Sequence, residues 1–247
     1  MKKLLLTIFF AATAGFWFTT PATAEYPAGP VQFIVPWPPG DFEDILTRMI
    51  AADMQKATGQ SASVVNKPGG GDGPFPGALE VLYGPTDGSI VGSFVIGVPV
   101  VGPLIDIGIE EDSFTPVVIF LTYPFVLAAS GDAPYKNMAE LAAYAKNNDV
   151  VLGHFGGGLA PTQASFAGAK KLGFEFADDS AFDMLDCNTL SAGDADVINT
   201  TLALIEPCLG EINVLASIGE EPISKLNGVE TLATQTGINN LELWNGL

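Results

Sequence analysis

The chain has 247 residues, 48% of them hydrophobic, and sets 28 acidic side chains against 10 basic ones, for a formal net charge of −18. That hydrophobic share supports a full core and excludes a disordered chain, and the length suits one large or two modest domains. With Arg48 the sole arginine, so negative a surface repels phosphodiester backbones and anionic headgroups, which excludes nucleic acid as a partner and docking on membranes through a basic patch.

In chain order, Lys2 and Lys3 precede the apolar stretch Leu4–Phe18 and the small-x-small triplet Ala22-Thr23-Ala24. This is the pattern of a cleavable signal peptide over residues 1–24, so the mature chain is expected to start at Glu25 and to be exported. No later run reaches the roughly 18 apolar residues of a membrane span. Strands are expected at Val31–Val35, Ala62–Asn66, Ser89–Ile96, Val117–Leu121, Phe125–Ala129, Val150–Gly153, Asp196–Asn199 and Ile212–Ala216. Between them, Phe42, Ile45, Leu46, Met49 and Ile50 recur at helical spacing and predict an apolar helix face. Further helices are expected over Met138–Ala145, ending at Asn147-Asn148-Asp149, and over Thr162–Leu172, ending at Gly173. Strand–helix–strand alternation of this kind predicts an α/β architecture with mainly parallel sheets. The doubled apolar segment Val117–Ala129, broken at Thr122-Tyr123-Pro124, is the expected crossing between two lobes.

The stretch "VPWPPGDFED" (Val35–Asp44) ends the first strand in a stiff turn and puts three acids on the helix that follows. Asp41 is placed to cap that helix, with Glu43 and Asp44 in its first turn opposing the dipole favourably. For Glu43 that capping role is sufficient explanation. Two glycine-rich loops, "NKPGGGDGPFPG" (Asn66–Gly77) and "GHFGGGLAPT" (Gly153–Thr162), fit neither a P-loop nor G-x-G-x-x-G. The second follows a strand and opens a helix, where unpaired N–H groups suit an anion or a carbonyl oxygen. Read alone, each loop is as well explained by simple turn punctuation. Together with Pro36–Gly40 they make three strand-to-helix turns at the carboxyl ends of strands, where α/β sheets bind ligands.

Catalysis is not expected. His154 is the single histidine and no G-x-S-x-G elbow is present, so neither a Ser-His-Asp nor a Cys-His arrangement has its parts. One histidine and two distant cysteines make a poor zinc set, and Asp194-Ala195-Asp196 lacks the glycine and glutamate of a calcium loop. No metal and no cofactor is expected. In an exported chain Cys187 and Cys208 admit one disulfide, although spacing alone does not decide whether the thiols meet.

"VPWPPGDFEDILTRMIA" resembles the V-P-aromatic-x-P-G-G-x-x-D-x-x-A-R segment of periplasmic solute receptors of the tripartite tricarboxylate transporter family, the Bug-type or TctC-like receptors. "GQSASVVNKPGGGDGPFPGALEV" is similar to that family's G-Q-x-V-V-V-E-N-R-P-G-A-G-G segment, and Asp87-Gly88 and Gly102-Pro103 fall at its spacing for D-G-Y-T and N-P. "MAELAAYAKNNDVVLGHFGGGLAPTQASFAGAKKLGF" resembles its L-x-E-L-I-A-Y-A-K…G-S-x-G-x-G-S segment, so the likeness is ordered over nearly the whole mature chain.

The resemblance implies a two-lobed, Venus-flytrap-like α/β fold with mainly parallel sheets. Residues 25–122 would form the first lobe, rejoined by residues 235–247, and residues 123–234 the second. It implies a receptor, not an enzyme, that holds a small organic acid or related metabolite in the interlobe cleft and delivers it to integral-membrane permease subunits. Pro38, Pro39, Gly40, Asp41 and Asp44 would line one side, and Phe155, Gly156, Gly157, Gly158 and Thr162 the other, with Phe182 in what remains of the V-P-Y-K-G turn. A receptor-like fold reused for signalling, a truncated non-binding copy and, less favoured, an exported enzyme are the alternatives. Several positions depart from the pattern. Asp41 stands at a glycine position, Val95, Ile96 and Val98 fall in a usually smaller or more polar stretch, Leu159 and Thr162 replace a serine and a histidine, and Ser180–Asp183 lacks the turn lysine. The chain ends at "LELWNGL", where the pattern continues with A-P-x-G-T-P. These departures predict a ligand less anionic than citrate, or one with an amine or an apolar body.

Overall fold

The computed structural model describes residues 26–69, 73–238 and 242–247. The expected signal peptide, and residues 70–72 of the first glycine-rich loop, lie outside the described residues. β1 (Val31–Val35) reads as an almost unbroken apolar run because it is the middle strand of a parallel sheet, between β2 (Ala62–Asn66) and β3 (Ile90–Gly92). Such strands are covered on both faces, and Phe33, Ile34 and Val35 are buried. The crossover from β1 to β2 is α1 (Phe42–Thr58), and that from β2 to β3 contains α2 (Phe75–Leu82).

The ends of α1 follow from its sequence. Asp41 accepts from the Phe42 N–H at the start, Lys56 lies in the last turn, and Gly59 stops the helix at φ 73°, its N–H bonded to the Gln55 carbonyl. Its orientation does not follow. Phe42, Ile45 and Met49 are exposed, whereas Glu43, Asp44, Thr47 and Ala51 are buried. The expected apolar face is thus reversed over the first turns, because the buried side is satisfied by polar partners instead of by packing.

The expected strand Ser89–Ile96 is interrupted at Ser93, whose N–H donates to the Ile34 carbonyl at 2.9 Å. β3 ends before it, and β4 (Phe94–Val95) belongs to a different sheet. Next come α3 (Gly97–Val101), a 3-10 turn over Gly102–Leu104, and β5 (Ile119–Thr122). After the break at Tyr123-Pro124, β6 (Phe125–Ser130) starts a second lobe. That lobe continues through α4 (Met138–Ala145), β7 (Val151–His154), α5 (Ala160–Lys171), β8 (Asp178–Ala181), α6 (Cys187–Ala192), β9 (Val197–Thr201) and α7 (Leu202–Ile205). It is completed by β10 (Ile212–Ile218) and α8 (Leu232–Thr236).

The five-stranded sheet has the order β10-β6-β9-β7-β8, with β7 parallel to β8 and β9, and β6 antiparallel to β9 and β10. Period-2 alternation on β6 serves both faces. Leu127 packs with Met138, Leu141 and Leu232 on one, and Val126 with Leu185, Ile198 and Ile205 on the other. Each such side chain contributes about 1.5–3 kcal/mol on full burial. Finally β11 (Trp244–Gly246) pairs antiparallel with both β4 and β5, forming a small third sheet between the lobes.

Cys187 and Cys208 are joined, with Cα atoms 6.0 Å apart, tying the start of α6 to the 3-10 turn after α7. Closing a loop of 21 residues removes chain entropy from the unfolded state worth about 3 kcal/mol. Replacing both cysteines by serine is therefore expected to lower the urea midpoint by that equivalent, read by circular dichroism.

Candidate functional site

A cleft opens where the β1–α1 turn, the β4–α3 turn and the start of α5 face one another. The first lobe contributes Trp37, Asp41, Glu43, Val95 and Ile96. The second contributes Phe125, Phe155, Leu159, Ala160 and Pro161, with Thr201 and Leu204 from the β9–α7 junction. Tyr123, Leu243 and Trp244 line it from the crossing between the lobes. The space between these walls, including what is open to solvent, is about 560 Å³. Most of the lining is apolar or aromatic, with a few polar groups, as small-molecule sites are built.

The polar centre is Glu43. It is 1% exposed, with Oε2 accepting from the Tyr123 hydroxyl at 2.8 Å and Oε1 from the Ser93 hydroxyl at 3.2 Å. Ser93 Oγ also lies 2.9 Å from Thr47 Oγ1, and Asn245 Nδ2 lies 3.4 Å from both Ser93 Oγ and the Tyr123 hydroxyl. Burial pushes Glu43 up to about 8 against the pull of the hydrogen bonds from Tyr123, Asn245 and Ser93. The carboxyl is consequently neutral at pH 7. Burial, with the Glu43 charge added, also raises the Tyr123 hydroxyl well above its ordinary value.

Asp41 and Asp44, both read from the sequence as site residues, have different fates. Asp41 lines the cleft while capping α1, with Oδ1 accepting from the Phe42 N–H at 2.7 Å; burial raises its pKa. Asp44 turns away into a clamp. Its carboxylate accepts from the Gly40 N–H at 2.8 Å, from Asn66 Nδ2 at 2.8 Å and from Arg48 Nε at 3.0 Å, and Asn66 Nδ2 also donates to the Trp37 carbonyl at 2.9 Å. Burial would raise its pKa, but the hydrogen bonds from Arg48, Gly40 and Asn66 and the Arg48 charge outweigh it and hold the group below the ordinary carboxylate value. The clamp sets the turn in which Gly40 takes φ 87°, open only to glycine at low strain.

Of the other expected site residues, Phe155 lines the cleft and also a smaller recess with Pro38 and Phe182. Pro39, Gly40, Asp44, Gly156, Gly157, Gly158 and Thr162 line neither space. Thr162 is buried on the first turn of α5, and among the described residues its hydroxyl has no partner. The Gly157 carbonyl accepts from Gln163 Nε2 at 2.6 Å, which holds the glycine loop as a support for the helix start. His154 lies below it, buried, with Nε2 2.6 Å from Asp179 Oδ1.

Sequence reasoning missed Glu43, Trp37, Tyr123, Phe125 and Trp244 as site residues. Trp37 sits inside the quoted turn motif, and Tyr123 is the polar aromatic at the break between two apolar strands; both signals were readable. Nothing local marks Glu43, because its partners lie about 50 to 200 residues further along the chain.

Two α/β lobes enclose a mostly apolar cleft with a few polar groups, the kind of space in which small molecules bind. Residues 46–247 match the family described as the tripartite tricarboxylate transporter family receptor, and the chain belongs to that family. It is 30% identical over 137 residues to a protein encoded in the tcbD-tcbE intergenic region of Pseudomonas sp. strain P51, covering 54% of this chain and 40% of that one. It is 44% identical over 73 residues to BugT of Bordetella pertussis, covering 29% of this chain and 22% of that one. The matches thus span less than half the length of either relative. Among solved structures, a TctC solute binding protein from Polaromonas superposes with a TM-score of 0.67 at 26% identity, over 90% of this chain and 77% of that one. MatC from Rhodopseudomonas palustris with bound malate superposes with a TM-score of 0.75 at 23% identity, over 90% and 78%, a likeness of fold.

Glu43 makes stability depend on pH. Its folded pKa of about 8 stands above the ordinary 4.5, so its contribution is fully present below about 4.5 and is lost as pH rises through about 8. Glu43→Gln, which keeps a neutral hydrogen-bonding side chain, is expected to flatten the fall in unfolding free energy between pH 5 and 8. Urea titrations across that range read the slope, and an unaltered slope would assign it to other groups.

Proposed function

We propose that the protein captures a small organic acid or related metabolite in the interlobe cleft and delivers it to integral-membrane permease subunits of a tripartite transporter. In this reading residues 1–24 direct export to the periplasm. Residues 25–122, with residues 235–247, would close against residues 123–234 around the ligand. Membership of the receptor family supports the reading, as do same-fold proteins described with malate and with adipate. No helix among the described residues is long and apolar enough to cross a membrane.

The observation that carries the reading is the start of α5 at the cleft wall. Leu159, Ala160 and Pro161 line the cleft, α5 has no acidic residue in its first turn, and Lys170 and Lys171 sit in its last. A 12-residue helix that starts at an enclosed space favours negative charge there by about half an elementary charge of helix dipole. Pro161 has no N–H, and the Leu159 and Gln163 N–H groups are bonded to the Gly156 and Leu159 carbonyls, which leaves the Ala160 N–H to donate at the wall. One carboxylate of a ligand fits that end. A second, carried to the opposite wall, would approach Asp41, and two like charges 4 Å apart repel by about 4 kcal/mol at an effective dielectric of 20.

Calorimetry against mono-, di- and tricarboxylates is expected to show tightest binding for acids with one carboxylate or an apolar body. Tightest binding of a tricarboxylate would overturn that ligand class. Asp41→Gly is expected to strengthen dicarboxylate binding severalfold, since glycine at the N-cap costs only a few tenths of a kcal/mol in helix stability. Unchanged dicarboxylate affinity would remove Asp41 from the site.

A further inference from the structure

Five aromatic side chains and two carboxyls share the cleft, and among the described residues no lysine, arginine or histidine lines it. Trp37 and Phe155 meet edge to face with ring centroids 6.5 Å apart, Phe155 and Phe125 at 6.3 Å, and Phe125 and Tyr123 at 5.7 Å. This string of rings runs from the β1–α1 turn to the crossing between the lobes, where Trp244 joins the lining. Aromatic faces carry negative potential, and a cation in contact with several of them, away from water, is strongly held. Both carboxyls come from the start of α1, on the first-lobe side of the cleft. Tyr123 donates to Glu43, and Asp41 shares the Trp37 wall.

Neither a carboxylate nor a plain hydrocarbon answers that wall. The first meets the Asp41 charge, and the second buries that charge uncompensated. A weakly hydrated cation satisfies rings and acid together. Across the cleft from Asp41, on the side that also carries Phe155 and Phe125, α5 begins without an acid, so the two helix starts differ in polarity. We propose that the cleft takes a zwitterion: an organic acid whose far end is a methylated ammonium group, held by the aromatic rings and Asp41. The acid end of that ligand rests on the carboxylate-capture reading given above.

The test is calorimetry on the full chain with γ-trimethylammonio-butyrate, its isostere in which carbon replaces the nitrogen, and tetramethylammonium. The zwitterion is expected to bind about tenfold or more tightly than the isostere, since shape and length are shared and only the cation differs. Asp41→Asn keeps a good N-cap side chain and is expected to narrow that gap. Phe155→Leu, which keeps apolar volume, is expected to narrow it too, with circular dichroism checking the fold of both. Equal or tighter binding of the isostere overturns the zwitterion and leaves acid capture standing. So does binding of other carboxylates with none of the three probes. Tetramethylammonium bound with no acid detected keeps the cation site and removes the acid reading. Silence from every probe and every carboxylate overturns both.

Discussion

Everything between the lobes is organised around one buried carboxyl. Glu43 comes from the first turn of α1, Ser93 from the break between β3 and β4, Tyr123 from the crossing before β6, and Asn245 from β11. Four segments distant in the chain therefore converge on a single hydrogen-bonded cluster. Ionised and isolated, a carboxylate at 1% exposure would be far too costly; protonated and paired, it costs little and favours one arrangement of its partners over others. Ser93, just past the end of β3 and still bonded to the Ile34 carbonyl of β1, presents its hydroxyl to Glu43 and Thr47. The requirement for partners explains why the polar side of α1 is turned inward.

The clamp around Asp44 complements this cluster one residue further on. Glu43 is neutral and faces the cleft, whereas Asp44 is ionised and faces the β1–α1 turn, fixing Gly40, Asn66 and Arg48. Successive helical residues point about 100° apart, so one short acidic run serves two environments. With the turn held from behind by Asp44, Trp37 and Asp41 are left as the groups that vary the chemistry of the cleft wall.

The α/β order, the first parallel strands and both ends of α1 were legible because they depend on local signals: apolar runs, an N-cap and a C-terminal glycine. So was Asp41 as the cap of α1. The side of α1 that is buried was not. Phe42, Ile45 and Met49 form a good apolar stripe, and only the distant hydroxyls and amide of Ser93, Tyr123 and Asn245 make the polar side preferable inside. The glycine loop over residues 156–158 is expected as a contact surface, whereas Leu159, Ala160 and Pro161 just after it are the residues at the wall. β11 was invisible for a related reason. Three residues near the chain end carry no period of their own, and they become a strand because β4 and β5 present unpaired edges to them.

The acidity of the chain acquires a specific meaning inside the cleft. Two helices, α1 and α5, begin at its opposite walls, and each brings the positive end of its dipole. On α1 that end is answered within the protein by Asp41 and Asp44, Glu43 being neutral. On α5 it is left unanswered. A cleft flanked by two bare helix starts would favour a ligand with negative charge at both ends. In the proposed reading, capping one of them with Asp41 converts a symmetric anion trap into a polar one. In that reading, the same residue that stabilises α1 thereby sets the direction in which a ligand lies.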